Sequence, residues 1–362
     1  MITSSYKSSA LSRRTFLCTT GAMAGAVALA PLQPALGADT LEGRIMTVLG
    51  PISADQLGVT LPHEHGVVDF LGAEKVKGLR RDEEDAFTTI LPHLKKLKEH
   101  GGQSLAECTP NYIGRDVRLL KRLSEATGLN ILTNTGYYGA GGNKFLPQHA
   151  FAESVEQLSA RWLAEWRNGI DGTGIRPGFI KLGVGNGKLP EIHARLVRAA
   201  AKVHLQSGLT IAIHTGDGSA ALDEVRILRQ EGVASDALIW VHAQNDPGPK
   251  QIEVAKLGAW VSLDGYSAAE KSRDRYKSLL LTLKKEKLLG RVLLSHDHFW
   301  SVEGEGGPGS LKIHAGGGPN AYEAIFTHLL PDLRQAGFDE NEIRQLSVSN
   351  PAEAFALRVR KV

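Results

Sequence analysis

Beyond about residue 40 the chain alternates short, continuously apolar runs with longer segments whose apolar positions recur at helical spacing. The short runs fall at 57–62, 103–108, 129–135, 176–183, 208–214, 236–242, 257–264 and 290–296. A run such as Ala237-Leu-Ile-Trp-Val241 has no polar alternation, the pattern of a strand covered on both faces. Between the runs lie amphipathic segments that read as helices: Asp85–His100, Asp116–Thr127, Ser154–Gly169, Glu191–Gln206, Ala220–Gly232, Lys250–Gly258 and Arg273–Leu288. A last helical group extends from about Ala321 to Arg358. Eight strand-then-helix units in series predict an α/β fold, a (β/α)8 TIM barrel, which takes about 250 residues and tolerates insertions. Residues 40–56 predict a small N-terminal β hairpin that caps the N-terminal end of the barrel. No linker divides the chain, so residues 38–362 read as a single barrel domain.

Composition changes this picture little. At 362 residues, 42% apolar and 22% charged, the chain is an ordinary globular protein with no case for disorder. Its formal charge of +3 comes wholly from Lys7, Arg13 and Arg14, because residues 1–37 hold no acid. The remainder is neutral, and the balance gives no reason to expect a nucleic acid or an anionic membrane as partner. Ser12-Arg-Arg-Thr-Phe-Leu17, a weakly apolar run and small residues at Ala35 and Gly37 resemble a twin-arginine export signal. The apolar run is too short and too rich in Gly and Ala to span about 30 Å of hydrocarbon. The expectation is a signal peptide over 1–37, passage through the twin-arginine translocation machinery, and a periplasmic or secreted protein. After that segment Cys108 is the one cysteine, so no internal disulfide forms. Its apolar setting makes it a small buried residue and not a nucleophile.

The candidate chemistry sits where the strands end. The first run closes on Thr60-Leu-Pro-His-Glu-His65, and residues two apart on a strand share a side, so His63 and His65 can face one ion. Alone, that motif is weak. Lys181 lies inside the fourth run, His214 ends the fifth, His242 ends the sixth, and Asp297 follows the eighth. Each has a plain structural explanation: a hydrogen-bonded core histidine, an edge lysine, a helix N-cap aspartate. Six together at one barrel rim, without an ion, would leave several buried polar groups unpaired at about 1–3 kcal/mol each. Lys181 joins such a set only if its neutral amine captures carbon dioxide, giving a carbamate whose two oxygens can bridge metal ions about 3.5–4 Å apart.

The order H-x-H, Lys, His, His, Asp resembles the phosphotriesterase family of the amidohydrolase superfamily, whose fold is this barrel. The likeness runs from about Arg44 to the C-terminus. It includes Arg44-Ile-Met-Thr-Val-Leu-Gly-Pro51, Thr60–His65, Ile113-Gly-Arg-Asp116, Gly169-Ile-Asp-Gly-Thr173 and Ser349-Asn-Pro-Ala352. The resemblance implies that His63, His65 and Asp297 hold a more buried ion, that His214 and His242 hold a more exposed one, and that carboxylated Lys181 and a hydroxide bridge both. Zn2+ suits imidazole and carboxylate ligands best, with Mn2+, Co2+ or Fe2+ as alternatives. It further implies metal-assisted hydrolysis of a small-molecule ester, lactone or phosphotriester, with Asp297 as proton acceptor, and a homodimer. Tyr138 matches a tyrosine that lactonase-like members carry near the metals and could orient a substrate carbonyl; packing within its loop is the alternative.

Two departures qualify the likeness. Efficient triesterases relay the proton through an aspartate after the sixth strand and a histidine after the seventh. Here those places hold Asn245 and Gly265, which relay no protons. Lactonase-like members commonly have arginine at the Gly265 place. His298 could substitute in the relay and contact substrate, or merely face solvent. Two loops follow strand ends, Tyr137–Phe145 and the glycine-rich Ser301–Pro319, the second readable as a surface loop or a substrate-covering lid. Three readings therefore compete: a hydrolase of esters or lactones with weak phosphotriesterase activity, a dedicated aryl dialkyl phosphate triesterase, and a non-hydrolytic metal-binding receptor or lyase.

Overall fold

The computed structural model describes residues 41–76, 78–246, 248–304, 311–313 and 321–362. The expected export signal and residues 305–310 and 314–319 of the glycine-rich stretch lie outside these. The strands, in chain order, are β1 (Arg44–Thr47), β2 (Gly50–Ser53), β3 (Thr60–Glu64), β4 (Val67–Val68), β5 (Ser104–Glu107), β6 (Asn130–Leu132) and β7 (Asn134–Thr135). They continue with β8 (Phe179–Gly183), β9 (Thr210–His214), β10 (Leu238–Val241), β11 (Trp260–Leu263), β12 (Val292–Leu294), β13 (Trp300–Val302) and β14 (Leu311–Ile313). The main helices are α1 (Glu83–Glu99), α2 (Val117–Thr127), α3 (Gln148–Ala152), α4 (Val155–Asn168), α5 (Glu191–Ser207), α6 (Gly218–Gln230), α7 (Lys250–Lys256) and α8 (Glu270–Lys285). A terminal group follows: α9 (Leu330–Gln335), α10 (Glu340–Arg344) and α11 (Asn350–Phe355). Among the described residues no helix is long and apolar enough to cross a membrane.

Parallel pairing runs β3–β5–β6 and then β7 through β12 in sequence order. One residue, Thr133, separates β6 from β7, so the two make a single barrel strand. The barrel closes where β12 meets β3: the His63 amide donates to Ser295 Oγ at 3.0 Å, and the Asp297 amide to the His63 carbonyl at 3.2 Å. This is the expected eight-stranded (β/α)8 architecture. The first strand begins at Thr60 and not at Leu57, because Ala54–Gln56 forms a tight helical turn and Gly58 (φ 63°) redirects the chain before pairing starts.

The period of two along each strand sorts residues between two cores. Outward-facing Ile180, Leu182, Ile211, Ile213, Trp240, Val261 and Leu263 pack with the helices. Inward-facing Phe179, Ala212, Ile239, Trp260 and Leu293 form an interior layer with Ile45 of the hairpin and Phe355 of α11. Burial of Ile45 there stabilises the fold by roughly 1.5–3 kcal/mol and fixes the β1–β2 hairpin as a plug in the N-terminal end. Cys108 belongs to the same layer; burial pushes its thiol well up, as expected for an inert residue. Two residues further along the strands, the interior changes from apolar to ionisable at Lys181 and His214.

A small sheet of β4, β13 and β14 stands beyond the barrel strands. Sequence periodicity gives no sign of it, since β4 has two residues and β14 lies within the glycine-rich stretch. Part of the stretch read as a loop or lid is therefore paired, Val302 opposite Leu311.

Candidate metal centre

All six sequence-predicted ligands meet at the C-terminal ends of the strands. His63, His65, Lys181, His214, His242 and Asp297 line one cavity of about 150 Å³, walled on its other side by Val68, Phe70, Ile113, Tyr138 and Phe299. His63 Nε2 and His65 Nε2 are 3.2 Å apart, and Asp297 Oδ1 lies 3.2 Å from the first and 3.1 Å from the second. Ligand atoms about 2.0–2.1 Å from a shared ion, at tetrahedral to octahedral angles, stand roughly 2.8–3.4 Å apart. The observed triangle has that size. His242 Nε2 lies 3.9 Å from Asp297 Oδ2, and the His214 and His242 rings are 4.5 Å apart. Two of these residues, His242 (φ 67°) and Asp297 (φ 56°), adopt a left-handed backbone that side-chain-bearing residues seldom hold. Such strain costs about 1–3 kcal/mol and concentrates at functional positions.

Burial governs the protonation of the cluster. Burial pushes His214 down to about 3 and, with opposition from Asp297, holds His242 well below the ordinary histidine range, so both rings are neutral and offer lone pairs. Burial opposes charge on Asp297, yet the rings of His242, His63 and His65 outweigh it and keep the carboxyl well below its usual range. Lys181 is 1% exposed, and burial lowers its ammonium pKa. Among the described residues it forms no ion pair, which fits an amine held ready for another role. The donor set thus fits divalent ions: neutral imidazoles, an ionised carboxylate and a buried amine of raised nucleophilicity.

Beneath the ligands lies a layer of supporting carboxylates that sequence reasoning missed. Asp264 Oδ2 sits 3.5 Å from His63 Nδ1 and 3.7 Å from His242 Nδ1, and accepts from the His242 amide at 3.0 Å. Its other oxygen accepts from Ser262 Oγ at 2.6 Å. With Nδ1 of both rings turned towards this carboxylate, Nε2 is left for the cavity. Thr109 Oγ1 is 2.9 Å from His65 Nδ1 and itself donates to buried Glu107, so it accepts from His65 and fixes that ring's tautomer. Glu64, between the two histidines, accepts from Ser295 Oγ (2.7 Å), the His296 amide (2.8 Å), His296 Nδ1 (2.9 Å) and the His298 amide (2.9 Å). It therefore clamps the segment carrying Asp297 onto β3. Asp264→Ala is expected to weaken metal affinity about 10–100-fold, the usual scale for losing an outer-shell partner. Chelator competition measures it; affinity equal to the parent's would rule out the orienting role.

Tyr138 pairs with Gly183, and its ring lies 5.1 Å from that of His214. A Cβ at Gly183 would fall 2.5 Å from the Tyr138 ring, so only glycine admits this approach. Burial raises the phenol pKa, keeping the hydroxyl a donor. The expectation for His298 needs correction. It is 0% exposed, packs against Trp300 and Tyr322 with centroids 4.6 and 5.3 Å away, and lines neither this cavity nor its neighbour. It does not face solvent, and burial lowers it to about 4. The left-handed turn at Asp297 sends adjacent side chains to different places. A second cavity, of about 560 Å³, shares His214, His242 and Asp297 with the first and is lined by Asn245, Gly265 and residues of α8.

The comparisons with known proteins show the family. The model of the phosphotriesterase family matches residues 43–355. The phosphotriesterase homology protein of Escherichia coli is 29% identical over 84% of this chain and 100% of its own. The aryldialkylphosphatase of Saccharolobus solfataricus is 23% identical over 89% of this chain and 99% of its own. The structure of an organophosphorus hydrolase from Deinococcus radiodurans superposes with a TM-score of 0.76 at 30% identity, covering 87% of this chain and 97% of that one. A mutant of a phosphotriesterase-like lactonase from the same organism gives 0.74 at 31%, covering 86% and 99%. The barrel, the ligand cluster and these likenesses agree, and the chain belongs to the phosphotriesterase family of metal-dependent hydrolases.

Proposed function

We propose that this protein is a binuclear-metal hydrolase whose main substrates are esters or lactones, with phosphotriesters as incidental ones. The observation that carries the reading is the convergence of a His–His–Asp triangle of 3.1–3.2 Å edges with two further histidines and a buried Lys181 in one cavity. His63, His65 and Asp297 would hold one ion, His214 and His242 the other, and Lys181, carboxylated on Nζ, would be shared. When bound, the ions, with zinc the best fit, would supply hydroxide from a shared water near neutral pH and polarise the substrate oxygen. The chain's own groups do the rest. Asp297 Oδ1 faces the two histidines of β3, which leaves Oδ2 to take the proton released as the new bond forms. Tyr138 presents its hydroxyl from the wall beside His214 and orients the carbonyl. Asp264 and Thr109 hold the imidazoles in register.

Two residues weigh against a dedicated triesterase. Asn245 and Gly265 line the outer cavity and offer no ionisable group to carry the proton away from Asp297. The proposal extends to export through the twin-arginine machinery, for which the Ser12–Leu17 motif is the support, and to a homodimer, for which family likeness is the support. Elemental analysis of the purified protein, with a panel of lactones, aryl esters and aryl dialkyl phosphates, tests the function. Two ions per chain and faster turnover of an ester or lactone than of any phosphotriester are expected. Fewer than two ions, or metal-loaded protein inert towards every ester, would overturn the reading in favour of a non-hydrolytic metal-binding protein.

A further inference from the structure

The larger cavity has a charge character that the hydrolysis outlined above does not use. Apart from Asp297 and Asp264, which belong to the ligand cluster and its support, the charged residues lining it are Lys271 and Arg275. They stand four residues apart on α8 and so occupy one face. Neither forms an ion pair among the described residues; Arg275 donates to the Gln244 carbonyl at the cavity wall. Arg273, between them, is held by Asp332 through hydrogen bonds of 2.8 and 2.7 Å. Asp332 thus pairs with Arg273, whereas Lys271 and Arg275, exposed at the cavity rim, have no ion-pair partner among the described residues.

This placement runs against helix energetics. Like charges one turn apart repel, and cations near a helix N-terminus oppose its dipole. Glu270 is the one acid in the first turn of α8. Both are exposed at the cavity rim, yet they face the space that holds His214, His242 and Asp297, where the only acids among the described residues are Asp297 and Asp264, already engaged by the histidines. Across the ligand cluster the wall is of opposite character: Val68, Phe70, Ile113 and Phe299.

We propose that the substrate is amphiphilic. It carries an anionic group (carboxylate, sulfonate or phosphate) that Lys271 and Arg275 hold, the scissile bond lies over the ligand cluster, and an apolar group rests on the Phe70–Phe299 wall. This rests on the hydrolase reading, whose failure the test below separates from its own.

The test compares matched esters on the metal-loaded protein: monophenyl glutarate against phenyl valerate, and 4-sulfophenyl butyrate against 4-methylphenyl butyrate, each normalised to its rate in hydroxide. At least one anionic ester is expected to exceed its neutral partner about tenfold or more in kcat/KM, mostly through KM. In Lys271→Ala/Arg275→Ala the anionic-to-neutral ratio falls about tenfold, and in Lys271→Glu/Arg275→Glu it drops below one. Turnover of the neutral ester reports that the site is folded. A ratio near one in the parent, or one unmoved in the double variant, overturns the proposal. Calorimetric binding of 4-methylbenzenesulfonate is read in parallel. Binding to the parent that weakens about tenfold in Lys271→Ala/Arg275→Ala supports the anion site even if no ester is hydrolysed, and equal or absent binding overturns it.

Discussion

Replacing Lys181 by alanine is expected to lower kcat/KM by roughly three orders of magnitude and to reduce the bound metal from two ions per chain to one or none. Lys181 lies one strand period above Phe179, in the layer where the barrel interior turns from apolar to ionisable. Among the described residues it makes no direct ion pair, and burial disfavours its charge more than the carboxylates of Asp297, Asp264 and Glu224 favour it. A carbamate there supplies an anion that two neutral histidines cannot. Without it the His214–His242 pair offers two donors alone, too few for a stable ion. Elemental analysis and steady-state kinetics on the same sample read the two effects together. The change removes a buried amine without breaking any ion pair among the described residues, so the fold should survive, and circular dichroism checks this. A Lys181→Ala protein with two ions and parental activity would contradict the shared-ligand role. Apo-protein reloaded with metal in carbon-dioxide-free buffer should likewise regain little activity until bicarbonate is added.

The second large effect is expected at Asp297. Asp297→Asn keeps the shape but loses the charge and the proton acceptor, and kcat should fall by about 10²–10⁴-fold. Because Oδ1 completes the 3.1–3.2 Å triangle, affinity for the first ion should fall as well. Kinetics at saturating metal separates the two contributions. If activity returned fully under saturation, Asp297 would be a ligand only and the proton would leave by another route.

That the six candidate residues would meet was legible because a barrel gathers the ends of its strands. A polar residue closing an apolar run then stands out, as His214 and His242 do, and the period of two placed His63 with His65. The supporting layer was not legible. Asp264 ends a run in the same way as an ordinary N-cap aspartate, and only the pairing of β11 with its neighbours brings it under two imidazoles. Glu64 alternates with the histidines and so points away from the cavity, towards Ser295 and His296, which lie some 230 residues later in the chain. Adjacency to Asp297 did not show where His298 would lie: the chain runs on beside His65 and Gly66, and the His298 ring packs on Trp300 and Tyr322, outside both cavities. Lys271 and Arg275 are exposed, as charges on a helix usually are, and sequence gives no sign of the cavity they border.

The contacts at the closing seam bear on the order in which the protein matures. Glu64 staples the first strand of the barrel to the last, through the segment that presents Asp297. Before those distant parts of the polypeptide meet, the triangle lacks one corner and retains little hold on an ion. On the proposed function, metal capture would thus come late in biogenesis, and occupancy would certify that the whole ring has been completed.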